Sequence, residues 1–163
     1  LCRPMDASSL QQPDPFEGGV IGRIRGTLAS LNREIRGALE PHGLLKSDAR
    51  ALRLCAAGPT RPSTIAQELD LSPAAVTQLL DRLEERHLIQ RSPDPEDRRA
   101  TVVSLTPQGS RLYRTVVAEI RGLLNEIARE LGPGGMSAVD QGAEQLDRAL
   151  AQWRRRRGRA PEE

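Results

Sequence analysis

Leu71-Ser72-Pro73-Ala74-Ala75-Val76-Thr77-Gln78-Leu79-Leu80-Asp81-Arg82-Leu83-Glu84 is the stretch on which the reading of the whole chain turns. Ser72 is a strong helix N-cap, and Pro73 suits the first helical position because its missing N–H would have no partner there anyway. Val76, Leu79, Leu80 and Leu83 fall on one face at helical spacing, which predicts a helix over 73–86 with that stripe buried. Ala74, Gln78, Asp81, Arg82 and Glu85 occupy the opposite face, with Ala75 and Thr77 at its edges. Immediately upstream a short helix is predicted over 62–69, with Ile65, Ala66 and Leu69 inward and Arg61 as a poor cap. The three-residue link Asp70-Leu71-Ser72 joins the two. Such a pair, whose second helix exposes small and hydrogen-bonding side chains, fits a helix-turn-helix.

The flanks extend this unit. Leu88-Ile89-Gln90-Arg91 and Thr101-Val102-Val103-Ser104-Leu105 are short β-prone runs, and the polar, proline-rich 92–99 between them reads as a hairpin tip. A hairpin directly after such a helix is a wing, here 91–101. Further upstream, Ser47 is placed to cap a helix running to about Leu54, and Gly58-Pro59 stops it. Val20, Ile21, Ile24, Leu28, Leu31, Ile35 and Leu39 make one stripe on a long helix over 16–40. On the other side, a helix opened by Thr106-Pro107 carries Leu112, Val116, Ile120, Leu123, Leu124 and Ile127 as far as Leu131. Gly132-Pro133-Gly134-Gly135 breaks it, and a last helix runs from Met136 to about Trp153.

The expected organisation is therefore a leader at 1–15, disordered because it is rich in proline and poor in apolar residues. An N-terminal helix at 16–40 follows, then a winged lobe at 44–106. Two C-terminal helices fill 107–153, and 154–163 is a basic flexible tail containing Arg154-Arg155-Arg156-Arg157. The fold class is mainly α with a small β-wing: a winged helix-turn-helix lobe with long N- and C-terminal helices.

Composition excludes several other classes. The chain has 37% apolar residues, a net charge of +2 and single copies of Phe, Tyr and Trp. Three aromatics provide no stacking platform for single-stranded nucleic acid. No run approaches the roughly 18–20 apolar residues of a membrane span, and no secretory leader is visible, so the expectation is a cytoplasmic protein. Cys2 and Cys55, with His42 and His87, do not have metal-ligand spacing, so no metal or cofactor is expected. Cys55 lies in Ala51-Leu52-Arg53-Leu54-Cys55-Ala56-Ala57 and reads as a core residue, since a free cysteine packs as a small hydrophobe. No nucleophile elbow or phosphate-binding glycine loop is present, so the chain is not expected to be an enzyme.

Three features occur together: the helix at 71–84 followed by Leu88-Ile89, then Asp97-Arg98-Arg99, then Leu105-Thr106-Pro107-Gln108-Gly109. In this combination the chain resembles the MarR family of bacterial transcriptional regulators. The likeness covers about 16–155 in element order and 62–109 in specific motif. It implies a homodimer in which the N- and C-terminal helices of two subunits interleave, with two winged lobes bound to duplex DNA. The stripes at 20–39 and 112–150 agree, because one small lobe could not cover both, and uncovered they would form a larger apolar patch than monomers usually expose. The resemblance also implies repression at a pseudo-palindromic operator, relieved by a small aromatic or anionic effector. Arg23, Arg25, Arg50 and Arg53 are the cations at hand for an anion. One branch of the family senses hydroperoxides through a cysteine in its N-terminal helix, and 16–54 contains none.

On this reading the helix over 73–86 enters the major groove. Gln78 offers an amide to adenine, Thr77 a methyl to thymine and Arg82 a guanidinium to guanine or phosphate. Ala74 and Ala75 permit close approach, while Ser72 and Pro73 bring the helix N-terminus to a phosphate. Arg98 and Arg99 at the wing tip and Arg91 at its base are assigned to the minor groove and flanking phosphates. Asp97, following the family pattern, is expected to brace Arg99. Residues 72–105 hold five arginines (82, 86, 91, 98, 99) against six acids (81, 84, 85, 94, 96, 97), so Glu84, Glu85, Asp94 and Glu96 must point away from DNA. The alternative is a winged-helix dimer used only for protein contacts.

Overall fold

The computed structural model describes residues 19–97 and 99–157. The expected leader and the end of the tail lie outside these residues, as does Arg98. Six helices and one hairpin follow in order: α1 (Gly19–Leu39), α2 (Lys46–Ala57), α3 (Pro62–Leu69), α4 (Pro73–Glu85), β1 (Ile89–Pro93), β2 (Thr101–Leu105), α5 (Pro107–Leu131) and α6 (Gly135–Arg157). A 3-10 turn, Glu40–His42, closes α1. The architecture is the mainly α winged helix. The chain divides into two compact units within α5, after Val117.

In the first unit the core gathers around α4. Val76, Leu79, Leu80 and Leu83 are all buried, as their spacing requires, and so are Leu52, Cys55, Ile65, Leu69, Leu88, Ile89 and Val103 around them. Ser72 Oγ accepts the Ala75 N–H at 3.3 Å and so caps α4. The turn before it reverses tightly at Asp70, whose φ of 55° is left-handed. At the far end, Arg86 donates 2.7 Å hydrogen bonds to the carbonyls of His42 and Gly43, tying α4 to the turn after α1.

Two local expectations change. Ser47 is not the cap of α2; the helix starts one residue earlier, and the Asp48 carboxylate reaches back to accept the Leu45 N–H at 2.9 Å. The wing is also more than a two-stranded hairpin. β1 and β2 pair antiparallel with Ile89 opposite Leu105 and Pro93 opposite Thr101. Thr60 then adds a bridge on the other side of β2, exchanging hydrogen bonds with Val103 at 2.9 and 2.8 Å. A single residue leaves no periodicity to detect, but it seats the start of α3 against the wing.

The Leu-Thr-Pro-x-Gly motif holds the start of α5 on the lobe. Thr106 donates its N–H to the Leu88 carbonyl at 3.1 Å and its hydroxyl to the His87 carbonyl at 2.6 Å. The same hydroxyl accepts the Gly109 N–H at 3.0 Å, capping the helix. Gly109 is buried because the backbone of Leu88 lies directly against it.

In the second unit, α6 continues to Arg157 and does not end at Trp153, so the first four residues of the expected flexible tail are helical. Arginine is a good helix former, and cations are favoured at a helix C-terminus. Arg157 also lies 4.6 Å from the centre of the Trp153 ring, one turn away. Within this unit Leu124, Leu131, Met136, Val139, Leu146, Leu150 and Trp153 remain exposed; in the first unit the same holds for Val20, Ile21 and Leu28 of α1.

Candidate DNA-binding interface

Helix α4 presents the expected polar face. Ser72, Pro73, Ala74, Thr77 and Gln78 are exposed and Ala75 is half-buried. Thr77 spends its hydroxyl inside the helix, on the Pro73 carbonyl at 3.0 Å, which leaves its methyl as the group available to a ligand. The Gln78 amide is exposed and makes no hydrogen bond among the described residues. Small residues beside one free amide make a surface that can approach a base edge closely.

The arginines are placed differently from the expectation. Arg82 turns inward and pairs with Asp48 of α2, a carboxylate that is 1% exposed against 42% for the arginine side chain. Its Nε is closed off from solvent and has no hydrogen-bond partner among the described residues. In this conformation Arg82 is committed to the lobe and not held out toward a base. Asp48 had no assigned role in the sequence reading, because an acid in the first turn of a helix is ordinary. Only the fold brings it beside Arg82, 34 positions away.

Arg91 is likewise engaged. One side of its guanidinium meets Asp81 at 2.7 Å and the other Glu84 at 2.5 Å, so β1 is bound to α4 by an ion pair on each side. This pairing accounts for two of the six acids that looked unfavourable on a DNA surface. Asp94 accounts for a third. It is buried, accepts the Glu96 N–H at 2.9 Å on one oxygen, and receives Arg61 Nε and Nη2 on the other, each at 2.7 Å. The backbone N–H of Glu96 and then the Arg61 guanidinium hold the Asp94 carboxyl below the usual carboxylate range. Because the folded value is lowered, this stabilisation is complete above the ordinary carboxylate pKa and is lost only as pH falls through the lowered one.

Asp97 was expected to brace Arg99, and among the described residues it meets Arg99 through the backbone. Its carboxylate accepts the Arg99 backbone N–H at 3.0 Å, a local turn that shapes the tip of the wing. Arg99 itself is exposed. Of the cations considered for an anionic effector, Arg50 donates to the Glu68 carbonyl of α3 at 2.6 Å.

Residues 48–101, which span α2 to the first residue of β2, match the family model described as "MarR family". Over these residues the chain is similar to the MarR family. It is 36% identical over 93 residues to the HTH-type transcriptional regulator YfiV of Bacillus subtilis, covering 57% of this chain and 58% of that one. It is 36% identical over 67 residues to the HTH-type transcriptional repressor MdtR of the same organism, covering 41% and 43%. The chain thus spans about half the length of these curated relatives. In three dimensions it is similar to the transcriptional regulator Tm0710 of Thermotoga maritima, with a TM-score of 0.58 and 26% identity over 85% of this chain and 95% of that one.

Cys55, the single cysteine among the described residues, is buried, and burial pushes its thiol up to about 11. It should therefore stay protonated and slow toward iodoacetamide at pH 8, and should react only on unfolding. Because the folded pKa exceeds the unfolded one, raising the pH from about 9 to 11 should favour the unfolded chain. Titration of native and urea-unfolded protein with a thiol reagent checks both.

Proposed function

We propose that this chain is a sequence-specific duplex-DNA-binding transcriptional regulator that works as a homodimer and represses. The observation that carries this reading is the exposed face of α4. A capped helix offers Ala74, Ala75, Thr77 and one exposed amide, Gln78, with a wing fixed beside it. In the proposed complex α4 lies in the major groove, and Arg99, together with Arg98, meets the minor groove and neighbouring phosphates. Two-fold symmetry would place two such lobes on a pseudo-palindromic operator. Repression is taken from the relative named as a repressor.

The uncovered apolar residues of α1, and those of α5 and α6, support the dimer, since each set needs a partner surface. A small aromatic or anionic effector that changes the spacing of the two lobes would complete the regulation. The protein is proposed to act in the cytoplasm, without a cofactor and without catalysis. No helix among the described residues is long and apolar enough to cross a membrane.

Substitution separates reading from anchoring. Gln78→Ala should relax the base preference at one position in each half-site, costing about 1–3 kcal/mol against the cognate sequence and little against others. Arg99→Ala should weaken all duplexes alike and lower the salt slope by about 1. Competition titrations on randomised duplexes at several salt concentrations measure both. If neither substitution alters binding, α4 and the wing are not the reading surface.

A further inference from the structure

We infer that Arg61, at the N-terminus of α3, is a positioning residue for DNA binding. It clamps the wing through Asp94 and so sets the wing at a fixed distance from α4. The inference rests on the DNA reading above and adds to it a residue that does not itself touch DNA.

Asp94 is the first residue of the turn that follows β1, and its two carboxylate oxygens do different jobs. One accepts the Glu96 N–H and shapes the turn from within. The other takes two donors from Arg61, which belongs to a different element 33 positions earlier in the chain. The link is directional, because Nε and Nη2 of one planar guanidinium converge on one oxygen at 2.7 Å. Pro93 and Pro95 on either side of Asp94 narrow the backbone freedom of the turn further.

The placement of Arg61 is itself fixed. Thr60 pairs with Val103 of β2 through two backbone hydrogen bonds, so the residue before Arg61 is already part of the wing sheet. Arg61 is the N-cap residue of α3, yet its side chain makes no cap hydrogen bond. A serine or threonine there would serve the helix better, because its hydroxyl could accept a free N–H of the first turn. The position gives up that benefit and spends its side chain on the wing.

The consequence is geometric. Arg91 holds β1 to α4 from one side through Asp81 and Glu84, and Arg61 holds the next turn to α3 from the other. With both in place, the wing reaches DNA already set at one angle, and less ordering remains to be done on binding. Loss of Arg61 leaves the helix-turn-helix intact and frees the turn.

The test uses the full chain, its Arg61→Ala and Arg61→Lys variants, and a duplex enriched from a random library by the unaltered protein. Hydrogen exchange without DNA reads the clamp: amides of Glu96, Asp97 and Ala100 should exchange about tenfold faster in Arg61→Ala, while those of α4 keep their rates. With DNA, Arg61→Ala should bind about tenfold more weakly. It should lose hydroxyl-radical protection at the flanks of the site, where the wing lies, and keep protection of guanine N7 in the major groove under α4. Arg61→Lys, which keeps the charge and one donor group, should recover part of both effects.

Unchanged exchange in Arg61→Ala overturns the clamp. Faster exchange with unchanged affinity and flank protection overturns the positioning role. An unaltered chain that enriches no duplex overturns the DNA reading, and this inference with it; the exchange rates tell that outcome apart from loss of the clamp alone.

Discussion

Replacing Gly109 by alanine should destabilise the protein by about 3 kcal/mol or more, although it adds a single methyl to a good helix position. A Cβ at this position would fall 1.9 Å from the Leu88 carbonyl oxygen and 2.8 Å from its carbon. Both atoms are backbone, so no rotamer change can make room. The first turn of α5 must lift away, and with it go the Thr106 hydrogen bonds to His87 and Leu88. Gly122, on the same helix with nothing within 4 Å of its would-be Cβ, supplies the control. Gly122→Ala should stabilise by about 0.5–1 kcal/mol, because alanine is the better helix former. Urea unfolding of the two variants should move in opposite directions. A neutral Gly109→Ala would mean that α5 does not seat on Leu88 as described.

The second large effect is expected at Arg82. Its substitution by alanine should cost about 2–3 kcal/mol, more than an exposed arginine on a surface helix would. The reason lies with its partner: Asp48 is buried, and without Arg82 it keeps only the Leu45 N–H. The arginine side is 42% exposed, so the reverse removal is gentler, because a free guanidinium can turn to water. Asp48→Asn should therefore cost less than Arg82→Ala, and the double variant should recover much of the loss. A double-mutant cycle in urea unfolding measures the coupling. Additive losses would mean that the pair contributes nothing as a pair.

These two positions also show which parts of the molecule could be read from the sequence. Val76, Leu79, Leu80 and Leu83 announce α4 by spacing alone, and Ser72-Pro73 announce where it starts, because caps and periodicity are local signals. Gly109 was visible only as one letter of a motif. The reason it must be glycine is the backbone of Leu88, 21 residues earlier, and such proximity leaves no local trace. The arginines were harder still. Helical spacing correctly put Arg82 away from the buried stripe, but periodicity cannot show that a long side chain bends back to a carboxylate on α2. Arg91 and Arg61 were hidden in the same way, since their partners lie on other elements. The acids that made the lobe look too negative for DNA are in part those partners. At 154–157 the repeated charge suggested an unfolded tail, whereas helix propensity and the Trp153–Arg157 contact carry α6 onward.

The most direct test of the account is fluorescence anisotropy of the purified chain on a labelled duplex from upstream of its own gene. It should be titrated in scrambled competitor across a range of salt. The protein should saturate at two subunits per site, its binding should survive competitor near physiological salt, and Gln78→Ala should show a weaker preference for that site. Binding that competitor abolishes, with no duplex preferred over scrambled sequence even after selection from a random library, would contradict this reading.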